Sequence, residues 1–121
     1  MRIGDLARRT GVSVRSLRYY EEQGLLTSTR TASGQRTYTE DDVGRVRLLR
    51  RLYDAGLTSS AIAAVLPCVD APGAAQTDTA WERMVAEREK LDSHIGDLLH
   101  TRDALDELIA VNRHYRQALA G

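Results

Sequence analysis

With 121 residues, 28% charged and 42% hydrophobic, the chain has the composition of one small soluble domain plus an appendage. No apolar run approaches the ~18–20 residues that span a bilayer, the opening Met-Arg-Ile-Gly-Asp has no apolar signal core, and the single cysteine, Cys68, cannot form an intrachain disulfide. Membrane, exported and disulfide-stapled classes are therefore set aside, and the reducing cytoplasm is the expected compartment.

The net charge of zero hides a division. Residues 1–56 carry eleven Arg against seven Asp or Glu, and residues 57–121 carry six Arg or Lys against ten Asp or Glu. A basic head suited to phosphate thus precedes an acidic tail.

In chain order, Ile3, Leu6 and Ala7 have helical spacing and Gly11-Val12-Ser13 interrupts it. Ser13 is a good N-cap for a second helix reaching about Gln23, and Gly24 stands at its C-terminal stop. Two short helices joined by a tight Gly-containing turn form a helix-turn-helix, whose second helix presents Arg15, Ser16, Arg18 and Tyr19. Leu25 to Tyr38 reads as a β-hairpin around Ser33-Gly34, with Arg30 and Arg36 on its arms. A basic hairpin after a recognition helix is a wing. Thr39-Glu40-Asp41-Asp42 opens a third helix with a capping-box start, and Val43, Val46, Leu49, Leu52 and Tyr53 give it an apolar face. Arg45, Arg47, Arg50 and Arg51 mostly occupy its other faces, where one or two are expected to touch phosphate. Thr58 caps a shorter helix, Ser59–Leu66, which Pro67 is expected to end; Pro67–Ala75, with Pro72 and Gly73, reads as a linker.

From about Asp78 the pattern changes. Met84, Arg88, Leu91, Ile95, Leu98, Arg102, Leu105, Ile109, Asn112, Arg116 and Leu119 follow alternating three- and four-residue steps, a coiled-coil seam. A helix of ~40 residues extends ~60 Å and cannot bury such a stripe against so small a head. A second copy of the same helix is the simplest partner. The expected organisation is a mainly α chain. A winged helix-turn-helix head spans residues 1–66 and a linker or hinge residues 67–76. A dimerisation helix spans residues 77–121 and pairs as an antiparallel coiled coil with a second subunit.

Ile3-Gly4-Asp5-Leu6-Ala7, Gly11-Val12-Ser13, Leu17-Arg18-Tyr19-Tyr20-Glu21-Glu22-Gln23-Gly24-Leu25-Leu26, Arg30 and Gly34-Gln35-Arg36-Thr37-Tyr38 closely resemble the N-terminal domain of the MerR family of bacterial transcription regulators. The resemblance runs over about the first 66 residues, and the order of elements agrees over the whole chain. Gln35 departs from it, since the family often has Tyr at that point of the wing. The resemblance implies a homodimer on a pseudo-palindromic operator inside a promoter whose elements are spaced too far apart. It also implies that the dimer bends and untwists the DNA so that RNA polymerase engages both elements. The implied DNA contacts are Arg18 and Tyr19 on the recognition helix and Arg36 on the wing; Arg15, Ser16 and Tyr38 complete the expected set. Leu17 and Tyr20 read equally well as core.

Effector-binding members of the family with an added C-terminal domain are longer than this chain, and its metal sensors use two cysteines after the dimerisation helix. Neither feature is present, and the cofactor stays unnamed. His94, His100 and His114 fall on the long helix; His94 and Asp97 share a face, but two ligands do not make a zinc site. Cys68 and Trp81 are the candidates for an effector or hinge role, against the plainer readings of a small apolar filler and an anchor for the seam. The alternative function is an architectural or repressor-only winged-helix protein. Catalysis is not expected, since no nucleophile, base and phosphate loop converge in the sequence.

Overall fold

The computed structural model describes residues 1–71 and 77–120. Its elements, in order, are α1 (Ile3–Thr10), α2 (Val14–Glu22), β1 (Thr29–Arg30), β2 (Arg36–Thr37), α3 (Glu40–Asp54), α4 (Ser59–Asp70) and α5 (Thr77–Ala120). The chain divides into two compact units, residues 1–84 and 85–121.

In the first unit, α1 and α2 form the helix-turn-helix. The turn depends on Gly11, which has a φ of 72° and returns its N–H to the Ala7 carbonyl at 2.9 Å. A Cβ there would also come within 3.2 Å of the Arg50 guanidinium, which donates to the Gly11 carbonyl. Ser13 then caps α2, its Oγ accepting from the Ser16 N–H at 3.1 Å. Leu6 and Leu17 are fully buried and join Val46, Leu49 and Ile62 at the centre of the core. Leu17 and Tyr20, three residues apart on one face of α2, both pack inward, and the Tyr20 ring stacks on Tyr53 of α3 at 5.3 Å.

The wing is shorter than the sequence predicts. Only Thr29 and Thr37, and Arg30 and Arg36, pair in the antiparallel ladder. Leu25 and Leu26 are both buried, so the first arm gives its opening residues to the core instead of alternating faces. At the tip, Gly34 has a φ of 84° and the Thr31 N–H reaches the Gln35 carbonyl at 2.7 Å. The chain leaves the wing at Tyr38, whose N–H donates to the Met1 carbonyl at 2.7 Å, while the Met1 amino group donates to the Tyr38 carbonyl at 3.0 Å. These two bonds fasten the start of α1 to the exit of the wing.

Thr39 and Asp42 form the expected cap at the start of α3, with the Thr39 N–H donating to Asp42 Oδ2 at 2.7 Å. Helix α4 departs from expectation. It runs through Pro67 to Asp70, so Pro67 and Cys68 lie within a helix rather than in a linker. Proline removes one backbone donor, and the carbonyl it would have served belongs to Ala63, an exposed residue. The last turn is then held by the Ala71 N–H on the Pro67 carbonyl at 2.9 Å and by an ion pair between Asp70 and Arg45 of α3. The rest of the expected linker, residues 72–76, lies outside the described residues, as does Gly121.

The second unit is the greater part of α5. Ile95, Leu98, Leu105, Ile109 and Leu119 of the heptad stripe are all exposed in the single chain. Among the described residues, no helix is long and apolar enough to cross a membrane.

Candidate nucleic-acid interface

Burying Leu17 and Tyr20 turns the opposite face of α2 to solvent. Arg15 and Arg18, three residues apart, are exposed there, and among the described residues neither has a hydrogen bond or ion pair. Ser16 is half-buried and tied into the cap through Ser13. Tyr19 is 44% exposed, and its hydroxyl lies 3.1 Å from Ser59 Oγ, which is 2.5 Å from the Tyr53 hydroxyl. This chain of hydroxyls ties the recognition helix to the first residue of α4.

The wing meets α2 through Glu21, whose side chain is only 14% exposed. Arg36 Nη1 donates to Glu21 Oε2 at 2.8 Å, and the Tyr38 hydroxyl donates to Glu21 Oε1. Tyr38 was expected among the DNA contacts, but it is 3% exposed and its ring belongs to the core. Burial, and then its bond to the Glu21 carboxylate, push its phenol up to about 12. Tyr38 therefore shapes the cleft from beneath, with almost all of its side chain in the core.

Arg18 of α2 and Arg36 of the wing share a cleft of about 240 Å³ with Arg2, Ile3, Gln35 and Tyr38. Three guanidinium groups from three segments thus surround one open space. Arg2, Gln35 and Glu21 were not legible as site residues. Arg2 reads as a solvated residue ahead of the first helix until the Met1–Tyr38 clamp brings it beside the wing, and the one signal at Gln35 is its departure from the family's usual tyrosine.

The arginines of α3 largely brace the head. Arg47 donates to the Arg9 carbonyl at 3.4 Å, Arg50 to the Gly11 carbonyl at 3.2 Å, and Arg45 pairs with Asp70. Arg9 and Glu40 join α1 to the start of α3, and that pair holds the Glu40 carboxyl below its ordinary value. Asp5 is likewise lowered, first by the Arg2 backbone N–H and then by Arg8. Cys68 is half-buried in α4, Trp81 is 59% exposed on α5, and neither lines the arginine cleft. His94, His100 and His114 are exposed on α5. Among the described residues, no three His, Cys, Asp or Glu side chains gather as a metal site would require.

Residues 1–67 match the family described as MerR HTH family regulatory protein. The chain is 30% identical over 106 residues to the HTH-type transcriptional regulator CueR of Salmonella typhi, covering 87% of this chain and 76% of that protein. It is 36% identical over 113 residues to the HTH-type transcriptional activator SoxR homolog of Chromobacterium violaceum, covering 88% and 72%. Among solved structures, a MerR family transcriptional regulator from Listeria monocytogenes superimposes with a TM-score of 0.81 at 27% identity, over 90% of this chain and 83% of that one. HiNmlR, a MerR family regulator lacking the sensor domain and bound to promoter DNA, shares the fold with a TM-score of 0.77 at 24% identity, over 90% and 86%. This chain belongs to the MerR family of helix-turn-helix regulatory proteins.

Proposed function

We propose that this protein is a cytoplasmic, homodimeric transcription regulator that binds a pseudo-palindromic operator in promoter DNA. Helix α2 enters the major groove with Arg15, Ser16, Arg18 and Tyr19 toward the bases and flanking phosphates. The wing lies alongside, with Arg36 on the backbone. Tyr38 has a supporting part, holding Glu21 and through it Arg36. The observation that carries this reading is the cleft in which Arg18 of the recognition helix and Arg36 of the wing converge. Unpaired guanidinium groups on a helix packed from behind are built to meet phosphate and base edges rather than to stabilise the fold.

The dimer is supported by the exposed heptad stripe of α5, which in one chain leaves Ile95, Leu98, Leu105 and Ile109 in water. Burying each such side chain is worth about 1.5–3 kcal/mol, enough in sum to hold two helices together, and an antiparallel pairing sets the two heads apart. Bending of the operator and engagement of RNA polymerase belong to this reading through the family. Cys68 is read as a packing residue of α4, and Trp81 as an anchor at the start of the seam.

The test is selection of bound duplexes from a random-sequence pool by the purified chain. The regulator reading requires enrichment of one sequence with two half-sites related by a dyad. Retention of all sequences alike would overturn it in favour of a purely architectural DNA-binding protein.

A further inference from the structure

Arg2 and Gln35 lie 33 positions apart and meet across the cleft, with Arg2 Nη2 donating to Gln35 Oε1. The clamp between Met1 and Tyr38 brings them together, since it fixes the residue before α1 against the wing's second arm. The nearest acid in sequence does not compete for the guanidinium. Asp5 takes the Arg2 backbone N–H at 3.0 Å and the side chain of Arg8. Glu21 is also committed, to Arg36 and Tyr38. The partner of the Arg2 side chain is therefore a neutral amide.

That chemistry has a consequence. A carboxylate at position 35 would orient Arg2 and cancel its charge, whereas an amide oxygen orients it and leaves the charge in place. The guanidinium fork carries more donors than one amide oxygen can satisfy, so Arg2 keeps free donors beside Arg18 and Arg36. Arg36 is already paired with Glu21, so Arg2 and Arg18 are the two uncompensated charges around about 240 Å³, and they repel one another until an anion enters. A backbone phosphodiester, with one negative charge and two unesterified oxygens, has the charge and the acceptors for that place.

We infer that Arg2 is a third phosphate-gripping guanidinium of this interface and that Gln35 is the positioning residue that aims it without neutralising it. The inference rests on the reading of this face as DNA-binding.

A phosphate contact carries no sequence information, so a mixed-sequence DNA duplex serves as the probe for the full chain. Binding is followed by fluorescence anisotropy at stepped salt concentrations for wild type, Arg2→Ala, Gln35→Ala, Gln35→Glu and the double variant Arg2→Ala/Gln35→Ala. Both side chains are exposed, so the fold is retained, which circular dichroism checks. Arg2→Ala is expected to weaken binding several-fold and to flatten the log–log salt slope by about 0.9 for each protomer bound. Gln35→Ala is expected to weaken binding less, and Gln35→Glu to flatten the slope as Arg2→Ala does. The double variant is expected to bind like Arg2→Ala alone, because Gln35 acts through Arg2. If wild type binds and Arg2→Ala keeps its affinity and slope, this inference falls while the DNA-facing reading stands. A further loss on adding Gln35→Ala to Arg2→Ala would overturn the positioning role. Absence of any salt-dependent binding by wild type would overturn both the inference and the reading beneath it.

Discussion

Glu21 on the recognition helix accepts the guanidinium of Arg36 on the wing, Nη1 to Oε2 at 2.8 Å. Because its other oxygen takes the Tyr38 hydroxyl, one carboxylate joins a cleft-lining arginine, a core tyrosine and the helix between them. Glu21→Ala leaves the Tyr38 hydroxyl buried without its acceptor. A loss of about 1–3 kcal/mol of unfolding free energy is expected from that orphaned group. The exposed half of the ion pair, Arg36 at 52% exposure, adds at most about 1 kcal/mol. Urea denaturation checks this, and a variant as stable as wild type would contradict the bridging role.

Tyr38 gives the fold a pH dependence at the alkaline end. Its phenol titrates at 10.0 when unperturbed and at about 12 in the folded chain. Between those values the folded state holds the proton more often than the unfolded state, so stability falls as pH rises. Below the unfolded value this contribution is fully present and constant. Thermal unfolding followed at stepped alkaline pH should therefore show a decline that shrinks in Tyr38→Phe. Tyr20, whose phenol burial also raises, contributes to the decline left in that variant. An identical alkaline decline in Tyr38→Phe and wild type would contradict the assignment.

Leu105 and Ile109 are four residues apart on the seam of α5, and both are exposed in the single chain. Leu105→Glu/Ile109→Glu should leave the head folded and place charges where two helices would otherwise bury carbon. The proposed dimer requires sedimentation equilibrium to show two chains for wild type and one for this variant. Operator affinity should fall sharply, because two linked half-sites bind far better than two separate ones. A variant still dimeric by sedimentation would locate the interface elsewhere.

The helical parts of the head were legible because local chemistry and burial agree there. Ser13, Thr39 and Thr58 stand at helix starts, Gly11 and Gly24 take the left-handed conformation, and the periodic Leu and Val residues fill the core. The wing is shorter than its Thr-rich arms suggest because strand propensity alone does not show that Leu25 and Leu26 belong to the core. The sequence places the end of α4 at Pro67 because proline is a good stop signal, yet the helix runs on to Asp70, which pairs with Arg45. Arg15 and Arg18 could be placed on the outer face of α2 from helical spacing alone. Arg2, Gln35 and Glu21 could not be placed at the site, since contacts of Arg2 with Gln35 and of Glu21 with Arg36 span 33 and 15 positions and follow from tertiary packing. The same limit applies to Tyr38, whose motif position suggested DNA and whose burial shows core.

Recognition of bases by α2 is most directly tested at Arg18, which is exposed, unpaired among the described residues and next to the wing. The measurement is the affinity of wild type and Arg18→Ala for the selected operator and for a set of duplexes each carrying one changed base pair per half-site. At the base pair that Arg18 contacts, wild type should lose about 1–3 kcal/mol on the change, while Arg18→Ala should bind the original and changed duplexes alike. Equal discrimination by both proteins at every position would contradict the account, because sequence would then be read by some other part of the molecule.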